Sequence, residues 1–499
     1  MDVLRPLAVT CAIAGVCLMP APTSLAAASS LPLIDAVKAG NHDAIRAILK
    51  ARPDVNRREP DGTTALHWAA RANDEETVRL LISAGAEVNA VNRYGVAPLS
   101  LAAANGSRTI IEELLNAGAD VNTTTPGGET VLMTAARTGD AQAVTVLLDR
   151  GADVSAREHE YGETALMWAA AENHADAVTL LAAHGADLNA RANVLQFPNV
   201  KVDAATMVIT ALPRGGLTPL MYAARQGAIG SARTLAKLGA NLNAADPDGM
   251  SALVIAIINA HYDLAAMLAD KGADPNIADV TGMAAVYATV DMHTLDPLVN
   301  RPAPLGNTSH AAVELVATLL EQGANPNATL KTPLLARQHN FGDATLGAGA
   351  TPLMRAAKNG DVAMMEVLLG HGASATQAMP TRMTALLFAV TPSRRKSPQD
   401  AVAAAKLCLE HGADVNAADA NGNTPLHLAV GTSDDLVKLL AERGARLDAR
   451  DQFGRTPLDV ALGVAGGGGG RGGRGAGPAA RESTVALLRT LEARSDGAR

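Results

Sequence analysis

A repeat of about 33 residues runs through this chain of 499 residues and limits what it can fold into. The alignment rests on segments that read Thr-x-Leu or a close variant, and most intervals between equivalent residues are 33. These residues are Leu31, Thr64, Ala97, Thr130, Thr164, Thr218, Ser251, Ala284, Thr351, Thr384, Thr424 and Thr456. The chain exceeds the size of one compact core, so the fixed period predicts about twelve small structural repeats that stack on one another.

Each repeat follows one pattern, illustrated by "DGTTALHWAARANDEETVRLLISAGAEVNAVN" at residues 61–92. Gly62 permits a tight turn, and Thr64 is placed to cap a short first helix. A second helix carries Leu81, and Gly85 is placed to end it in the left-handed conformation. Because neither helix can bury its apolar face alone, the stability of each repeat must come from stacking on its neighbours.

The segments "TALHWAA", "TPLMYAA", "TPLMRAA" and "TPLHLAV", with endings similar to "GADVNA", resemble the ankyrin-repeat family. The resemblance extends from about residue 29 to the C terminus. It implies a mainly α fold, a curved solenoid of about twelve helix-turn-helix repeats with β-turn fingers along one edge. In that family recognition is usually of other proteins, so we predict a protein–protein interaction scaffold that binds its partner through a concave face, formed by fingers and first helices, and through its finger insertions. Because the sequence has no nucleophile elbow, phosphate-binding loop or metalloprotease helix signature, we expect no enzymatic activity.

The repeat spacing predicts the domain organisation. A standard repeat has 21 residues from Thr64 to Gly85 and 12 more to Ala97, so any excess can be assigned to a finger or to a turn between helices. The predicted segments are repeats 1–5 at 29–194, a finger insertion at 195–215, repeats 6–8 at 216–327 with a helix-turn insertion near 293–310, a finger insertion at 328–348, and repeats 9–12 at 349–499 with a glycine-rich linker at 466–478. The alternation in "VKVDAATMVI" predicts a short β-hairpin within the first finger insertion. A basic trio, Arg394, Arg395 and Lys396, is interpreted as a solvated loop.

The N-terminal residues predict export. Arg5 precedes an apolar run at residues 7–19, and small residues follow at Ala26 and Ala28, which is the layout of a secretory signal peptide. We assign residues 1–26 to this peptide and expect a periplasmic or secreted protein, similar to exported ankyrin-repeat proteins of bacteria. The apolar run is too short to span a bilayer, so no membrane span is expected in the mature chain.

Charge and cysteine content exclude other classes of protein. The formal net charge of −8 argues against nucleic acid as a partner, because such binding surfaces carry a basic excess. Cleavage of the signal peptide would remove Cys11 and Cys17, and it would leave Cys408 as a buried free thiol. We expect a monomer that binds an unidentified protein partner.

The residues predicted to bind this partner occupy variable positions of the repeat and its insertions. Aromatic side chains next to arginine are typical of interfaces. The candidates are Arg71, Arg137, Arg225 and Lys358 near the ends of first helices, Tyr94 and Tyr161 at finger tips, Phe197 in the first finger insertion, and His339, Asn340, Phe341 and Asp343 in the second. Trp68, Trp168, Tyr222 and Phe388 share one position of the first helix, where packing beneath the fingers is the simpler explanation.

A metal or catalytic site has less support. Most histidines occupy repeated positions, no pair has a ligand spacing on one helix, and the methionines at equivalent positions are explained by packing. We predict no cofactor, no metal and no catalytic residues. The alternative kept open is an enzyme-like or accessory factor whose finger insertions form a small-ligand or metal site.

Overall fold

The computed structural model describes residues 31–195, 214–294, 308–332, 345–393, 396–464 and 482–496. Within these ranges it contains twelve pairs of helices, which confirms the predicted repeat architecture. All twelve Thr-like residues of the sequence alignment immediately precede the first helix of a pair. Contacts divide the chain into two compact units, residues 1–169 with 179–186 and residues 170–178 with 187–499.

The first unit begins with four complete helix pairs. They are α1 (Pro32–Lys38), α2 (His42–Lys50), α3 (Ala65–Arg71), α4 (Glu75–Ser83), α5 (Pro98–Ala104), α6 (Arg108–Asn116), α7 (Val131–Thr138) and α8 (Ala141–Asp149). The division between the units passes through α9 (Ala165–Ala171) and α10 (Ala175–Ala183). From α1 to α7 each first helix packs on the first helix of the next repeat, and from α2 to α8 second helices do the same.

The second unit continues the same arrangement after a short pair of strands. Its elements are β1 (Val194–Leu195), β2 (Arg214–Gly215), α11 (Pro219–Gln226), α12 (Ile229–Lys237), α13 (Ala252–Ile258), α14 (Tyr262–Asp270), α15 (Ala285–Thr294), α16 (Thr308–Glu321), α17 (Pro352–Asn359), α18 (Val362–Gly370), α19 (Ala385–Val390), α20 (Pro398–Glu410), α21 (Pro425–Ala429), α22 (Asp434–Glu442), α23 (Pro457–Ala461) and α24 (Glu482–Asp496). First helices again stack on first helices from α11 to α23.

The first helices begin where the sequence supplies a cap. The Thr130 side chain accepts a hydrogen bond from the amide of Met133 at 3.1 Å, and Thr218 and Thr351 do the same at their helices. Such a bond satisfies one of the amides that a helix start leaves without an intrahelical partner. The core consists of the small and branched side chains that the repeat predicts, such as Ala69, Ala70 and Leu81.

Asparagines join the finger of one repeat to that of the next. The Asn89 amide donates to the carbonyl of Gly118 at 2.9 Å, and its carbonyl accepts from the amide of Asp120 at 2.8 Å. We call the equivalent residues the asparagine ladder: Asn56, Asn89, Asn122, Asn189, Asn243, Asn276, Asn327 and Asn416. The ladder therefore couples successive repeats on their solvent-exposed side.

The structure describes the ends of the predicted insertions. At the first, β1 pairs with β2 antiparallel, with Val194 opposite Gly215; the predicted hairpin in "VKVDAATMVI" lies outside the described residues. At the second, Leu330 and Ala350 are joined when the Leu330 amide donates to the Ala350 carbonyl at 3.0 Å. The glycine-rich linker and residues 1–26 also lie outside the described residues.

The helices on either side of the predicted insertion near residues 293–310 are longer than their counterparts in other repeats. The first helix α15 has 10 residues, whereas most first helices have seven or eight, and the second helix α16 has 14, whereas most second helices have nine. The sequence "TSHAAVELVATLLE" explains the extension, because Ala, Leu and Glu favour helix and no Gly or Pro interrupts them.

The interpretation of Lys396 as a solvated loop residue was wrong. Its side chain is 8 % exposed, and its ammonium donates to the carbonyls of Phe388 at 2.8 Å and Ala389 at 2.5 Å. These carbonyls belong to the last turn of α19, which is only six residues long. A cation there satisfies carbonyls without intrahelical partners and interacts favourably with the helix dipole.

Burial sets the ionisation of two groups in this part of the second unit. Cys408 is fully buried on α20, as expected, and burial raises the pKa of its thiol to about 12. Burial likewise lowers the pKa of Lys396 to about 8. The thiol is therefore an inert part of the core rather than a reactive nucleophile.

Candidate protein-interaction surface

Exposed apolar side chains concentrate on the fingers, the segments between the second helix of one repeat and the first helix of the next. Among the described residues, nine large apolar side chains are exposed, and seven of them belong to fingers. These seven are Val91, Tyr94, Tyr161, Val194, Leu238, Val280 and Phe453. Because exposed apolar groups gathered on one feature mark interaction sites more often than scattered ones do, the finger tips are candidates for binding.

Trp68 lies at the centre of a cluster on α3, just below the fingers. Its indole N–H donates to Glu59 Oε2 at 2.7 Å, and Lys38 Nζ lies 4.4 Å from the ring centroid. Lys38 also pairs with Glu59 Oε1 at 2.5 Å, while Arg71 Cζ lies 5.6 Å from the same ring. The ring is thus held in one orientation by a carboxylate and two cations.

Trp168 on α9 is held in the same way, three repeats further along the first unit. Its indole N–H donates to Glu163 Oε2 at 2.8 Å, and Arg137 Cζ lies 4.9 Å from the ring. Arg137 also lies 3.6 Å from Glu129 Oε1. Cation–π contacts of this kind contribute about 0.5–1 kcal/mol each at exposed sites.

The two clusters share a register between adjacent repeats. In both clusters the cation, Lys38 or Arg137, stands seven residues after the Thr-like residue of its repeat. It lies over the indole ring of the following repeat, and that tryptophan stands four residues after its own Thr-like residue. In the second unit Asp291 and Arg355 occupy the same two positions, and Arg355 Nε lies 3.0 Å from Asp291 Oδ1. Asp291 is 4 % exposed and Arg355 is 6 % exposed, so these two repeat positions form a buried ion pair in the second unit instead of a contact between a cation and an aromatic ring.

The finger tips carry tyrosines next to charged residues. Tyr94 is 54 % exposed, and the Arg93 guanidinium stacks on its ring at 4.8 Å and donates to its hydroxyl at 2.6 Å. Tyr161 is 41 % exposed, and the hydrogen bond with Glu160 raises the pKa of its phenol. One tip is therefore basic and the other acidic.

Comparison with protein families decides the kind of protein. A model described as ankyrin repeats in three copies matches residues 33–125, 99–192, 200–279 and 397–464, and a single ankyrin-repeat model matches residues 348–378. The chain belongs to the ankyrin-repeat family. No curated protein matches the chain in a search of the curated sequences. Ankyrin repeats are generally non-enzymatic modules that bind other proteins, and the helical solenoid described above is their fold.

The described ankyrin repeats bring some predicted binding residues together and leave others apart. Arg71, Tyr94, Arg137 and Tyr161 all lie in the first unit, on first helices or finger tips. In the second unit Arg225 Cζ stacks on the Tyr222 ring at 4.7 Å, and Lys358 donates to the hydroxyl of Thr345. Phe197, His339, Asn340, Phe341 and Asp343 lie outside the described residues.

The histidines of the ankyrin motif serve the scaffold. His67 Nδ1 accepts from the Thr64 amide at 3.2 Å, so Nε2 carries the proton and donates to the Val96 carbonyl at 3.0 Å. Burial lowers the pKa of His67, which keeps the ring neutral. His184, His371 and His411 end second helices, and each ring contacts the carbonyl four residues earlier through Nδ1, at 2.9, 2.8 and 2.9 Å.

The described residues show no arrangement typical of a metal site or a membrane span. No group of three or more of their His, Cys, Asp or Glu side chains is arranged to hold a metal ion. No helix in the described ranges combines the length and the apolar character needed to cross a membrane. Met133, Met167, Met221 and Met354 are completely buried, which confirms their interpretation as packing residues.

Sequence reasoning missed two features of the candidate surface. Glu59 and Glu163 fix the indole rings of Trp68 and Trp168, yet they precede the Thr-like residue by five positions and by one, so no repeated spacing indicated them. Arg93 was also missed, although its place beside Tyr94 at a finger tip was a usable signal.

Proposed function

We propose that this protein is an exported interaction scaffold that binds another protein through the first helices and finger tips of its first unit. Val91, Tyr94 and Tyr161 are exposed on the fingers of this unit, and the exposure of these apolar and aromatic side chains carries the proposal. The Trp68 and Trp168 clusters lie beside these fingers and add arginines to the surface. Aromatic residues and arginine contribute most of the binding energy in typical interfaces.

The rigidity of the surface supports the same function. Both indole rings are held by hydrogen bonds to glutamates of the finger segments, and the fingers are joined to one another by the asparagine ladder. Because such side chains are already ordered before binding, the partner does not bear the entropic cost of fixing them. Loops held on a rigid framework are where binding residues are usually found.

Export is the part of the proposal that rests on sequence alone. The basic residue Arg5, the apolar run at residues 7–19 and the small residues at Ala26 and Ala28 support it. Mass spectrometry of the N terminus of the protein made in its own cells tests it. A chain beginning at residue 27 or 29 is the expected result, and an intact Met1 would overturn export.

Partner binding is tested by affinity capture from the matching cell-envelope extract. The full-length protein is compared with a variant in which Arg71→Ser and Arg137→Ser remove the two arginines of the clusters. A matched control carries Arg79→Ser and Arg108→Ser, two exposed arginines on second helices of the same unit. Each pair of changes removes the same charge.

We expect the wild type and the control to capture the same partner protein in similar amounts. The cluster variant should capture about tenfold less of it, because interface arginines contribute strongly to binding. The proposal fails if no protein shows this pattern. Circular dichroism of all three proteins establishes that the helical fold is retained, so that lost capture reports on the surface itself.

A further inference from the structure

Three consecutive finger tips of the first unit differ at one equivalent position. Each residue stands three places before the Thr-like residue of its repeat: Tyr94, Gly127 and Tyr161. The two tyrosines are exposed, and Gly127 between them is exposed and has no side chain. With repeats about 10 Å apart, two tyrosines about 20 Å apart border an open gap over the middle finger. We call this gap the tyrosine slot, formed by Tyr94, Gly127 and Tyr161.

The fold does not require a glycine at the floor of the slot. Gly95 and Gly128 have φ angles of +73° and +81°, and a Cβ there would lie 2.3 Å from Pro126 Cδ and 2.6 Å from the His159 ring. Gly127 has no positive φ, and a Cβ would find its nearest neighbour, Thr125 Oγ1, at 3.8 Å. Since neither backbone strain nor packing explains Gly127, the absence of a side chain is a property of the surface.

The floor of the slot is held firmly by the neighbouring finger. The Gly127 carbonyl accepts from the amide of His159 at 2.8 Å, and the Pro126 carbonyl lies 3.2 Å from His159 Nδ1. Within the finger, the Thr125 amide donates to the Glu129 carbonyl at 3.0 Å. A bare glycine on a fixed backbone lets another main chain approach closely.

The two walls of the slot carry opposite charge. Arg93 stacks on Tyr94 at 4.8 Å, whereas Glu160 bonds to Tyr161 on the other side. An extended chain rises about 3.3 Å per residue, so about six residues span the distance between the walls. A matching segment therefore places an acidic residue beside Arg93 and a basic residue beside Glu160, with apolar residues over the glycine.

We propose that the tyrosine slot binds an extended segment of the partner protein, about six residues long, acidic at one end, apolar in the middle and basic at the other. This inference rests on the proposed function and names the part of the partner that the first unit recognises. The tyrosine rings hold the apolar residues, Gly127 admits the main chain, and the two walls set the direction in which the segment lies.

Selection from a random twelve-residue peptide display library tests the slot without knowledge of the partner. The bait is the full-length protein, and peptides that also bind a Gly127→Trp variant are removed, because that variant fills the slot. We expect enriched peptides to carry a carboxylate and a cation about five or six residues apart, with apolar residues between them. Enrichment of no peptide, or of peptides without this charge order, overturns the proposal.

Matched variants sharpen the test with a synthetic copy of the enriched peptide, measured by fluorescence anisotropy. Gly127→Ala adds only a methyl group and should bind within about twofold of the wild type, whereas Gly127→Trp, Tyr94→Ala and Tyr161→Ala should each bind about tenfold more weakly. Val280→Ala, at a finger tip of the second unit, should have no effect. Exchange of the wall charges in an Arg93→Glu, Glu160→Arg double variant should favour a peptide with its charged ends exchanged. Equal affinity for the Gly127→Ala and Gly127→Trp variants would contradict the slot.

Failure of the slot and failure of the scaffold function give different results. If the envelope partner is lost with the Arg71 and Arg137 changes but kept by Gly127→Trp, the scaffold function stands and the slot is wrong. If no protein is captured under any condition, the scaffold function is wrong.

Discussion

Replacement of Asn89 by alanine removes one rung of the asparagine ladder and leaves the helices untouched. The wild-type side chain donates to the Gly118 carbonyl at 2.9 Å and accepts from the Asp120 amide at 2.8 Å. Both bonds join the finger of the second repeat to that of the third, within the first unit. The change therefore acts on the coupling between repeats.

The expected loss follows from the two hydrogen bonds. Each contributes about 0.5–1.5 kcal/mol net, because water replaces the partner in the unfolded chain. Asn89 is exposed, so water can also reach the Gly118 carbonyl and the Asp120 amide in the variant. The free energy of unfolding of the first unit should fall by about 1–2 kcal/mol, in the lower half of the combined range.

Urea unfolding followed by tryptophan fluorescence measures this loss, because Trp68 and Trp168 both lie in the first unit. Asn116→Ala is the control, since it removes an exposed asparagine from the end of α6 in the neighbouring repeat. Alanine favours helix over asparagine by up to about 0.7 kcal/mol, so the control should be neutral or slightly stabilising. If Asn89→Ala unfolds within about 0.3 kcal/mol of the wild type, the ladder does not couple the repeats and the reasoning is refuted.

Three further variants test the second unit. Thr376 occupies the position of a ladder asparagine. Thr376→Asn should raise the free energy of unfolding by about 1 kcal/mol through a new hydrogen bond to the Gly412 carbonyl. Urea unfolding followed by circular dichroism measures the change, and unchanged stability would count against the hydrogen-bond geometry of the ladder. Because the unfolded chain binds more protons than the folded one between pH 8 and 10.5, the stability of the wild type relative to Lys396→Met should increase with pH across this window. The increase is at most about 3–4 kcal/mol, by conversion of the pKa change at about 1.4 kcal/mol per pH unit. A stability difference that does not change with pH in urea titrations would contradict the lowered pKa. Asp291→Leu should lower stability by about 3–5 kcal/mol by breaking its buried pair with Arg355. An Asp291→Leu, Arg355→Met double variant should recover most of the loss in thermal unfolding, and a double variant no more stable than the single one would show that the pair is not the cause.

The fold was largely predictable because the same sequence pattern of one helix pair occurs twelve times along the chain. The period placed every first helix, and the glycines placed the turns, as Gly85 with its φ of +90° shows. A sequence pattern that recurs in each repeat can be recognised even where one copy departs from it, because the other copies still define the pattern. The resemblance to ankyrin repeats followed from the same residues.

Two kinds of contact could not be predicted from the repeat. Lys396 stands in a basic trio whose charge suggested exposure, and its burial depends on the short helix α19 that leaves two carbonyls within reach. The ladder asparagines recur in the sequence, but Asn89 bonds to residues about 30 positions further along the chain. Only the stacking of one repeat on the next brings such residues together. Sequence alone fixes neither contact.

The candidate surface was predicted in part. Arg71, Tyr94, Arg137 and Tyr161 were chosen as arginines and aromatics at variable positions, and the structure places them together on the first unit. Their selection for partner binding stays a prediction. Gly127 was not chosen, because a glycine in a turn is ordinarily attributed to backbone conformation, and only its φ and open surroundings remove that explanation.

The asparagine ladder also determines where the chain can accept foreign sequence. Asn189, Asn276 and Asn327 reach their partners in the next repeat although the three longest interruptions of the 33-residue period intervene along the chain. Extra residues at these points therefore leave the rungs in place. A reporter peptide, a binding loop or a small domain grafted there would be displayed at a fixed site on an intact support, which makes this protein a ready carrier for engineering.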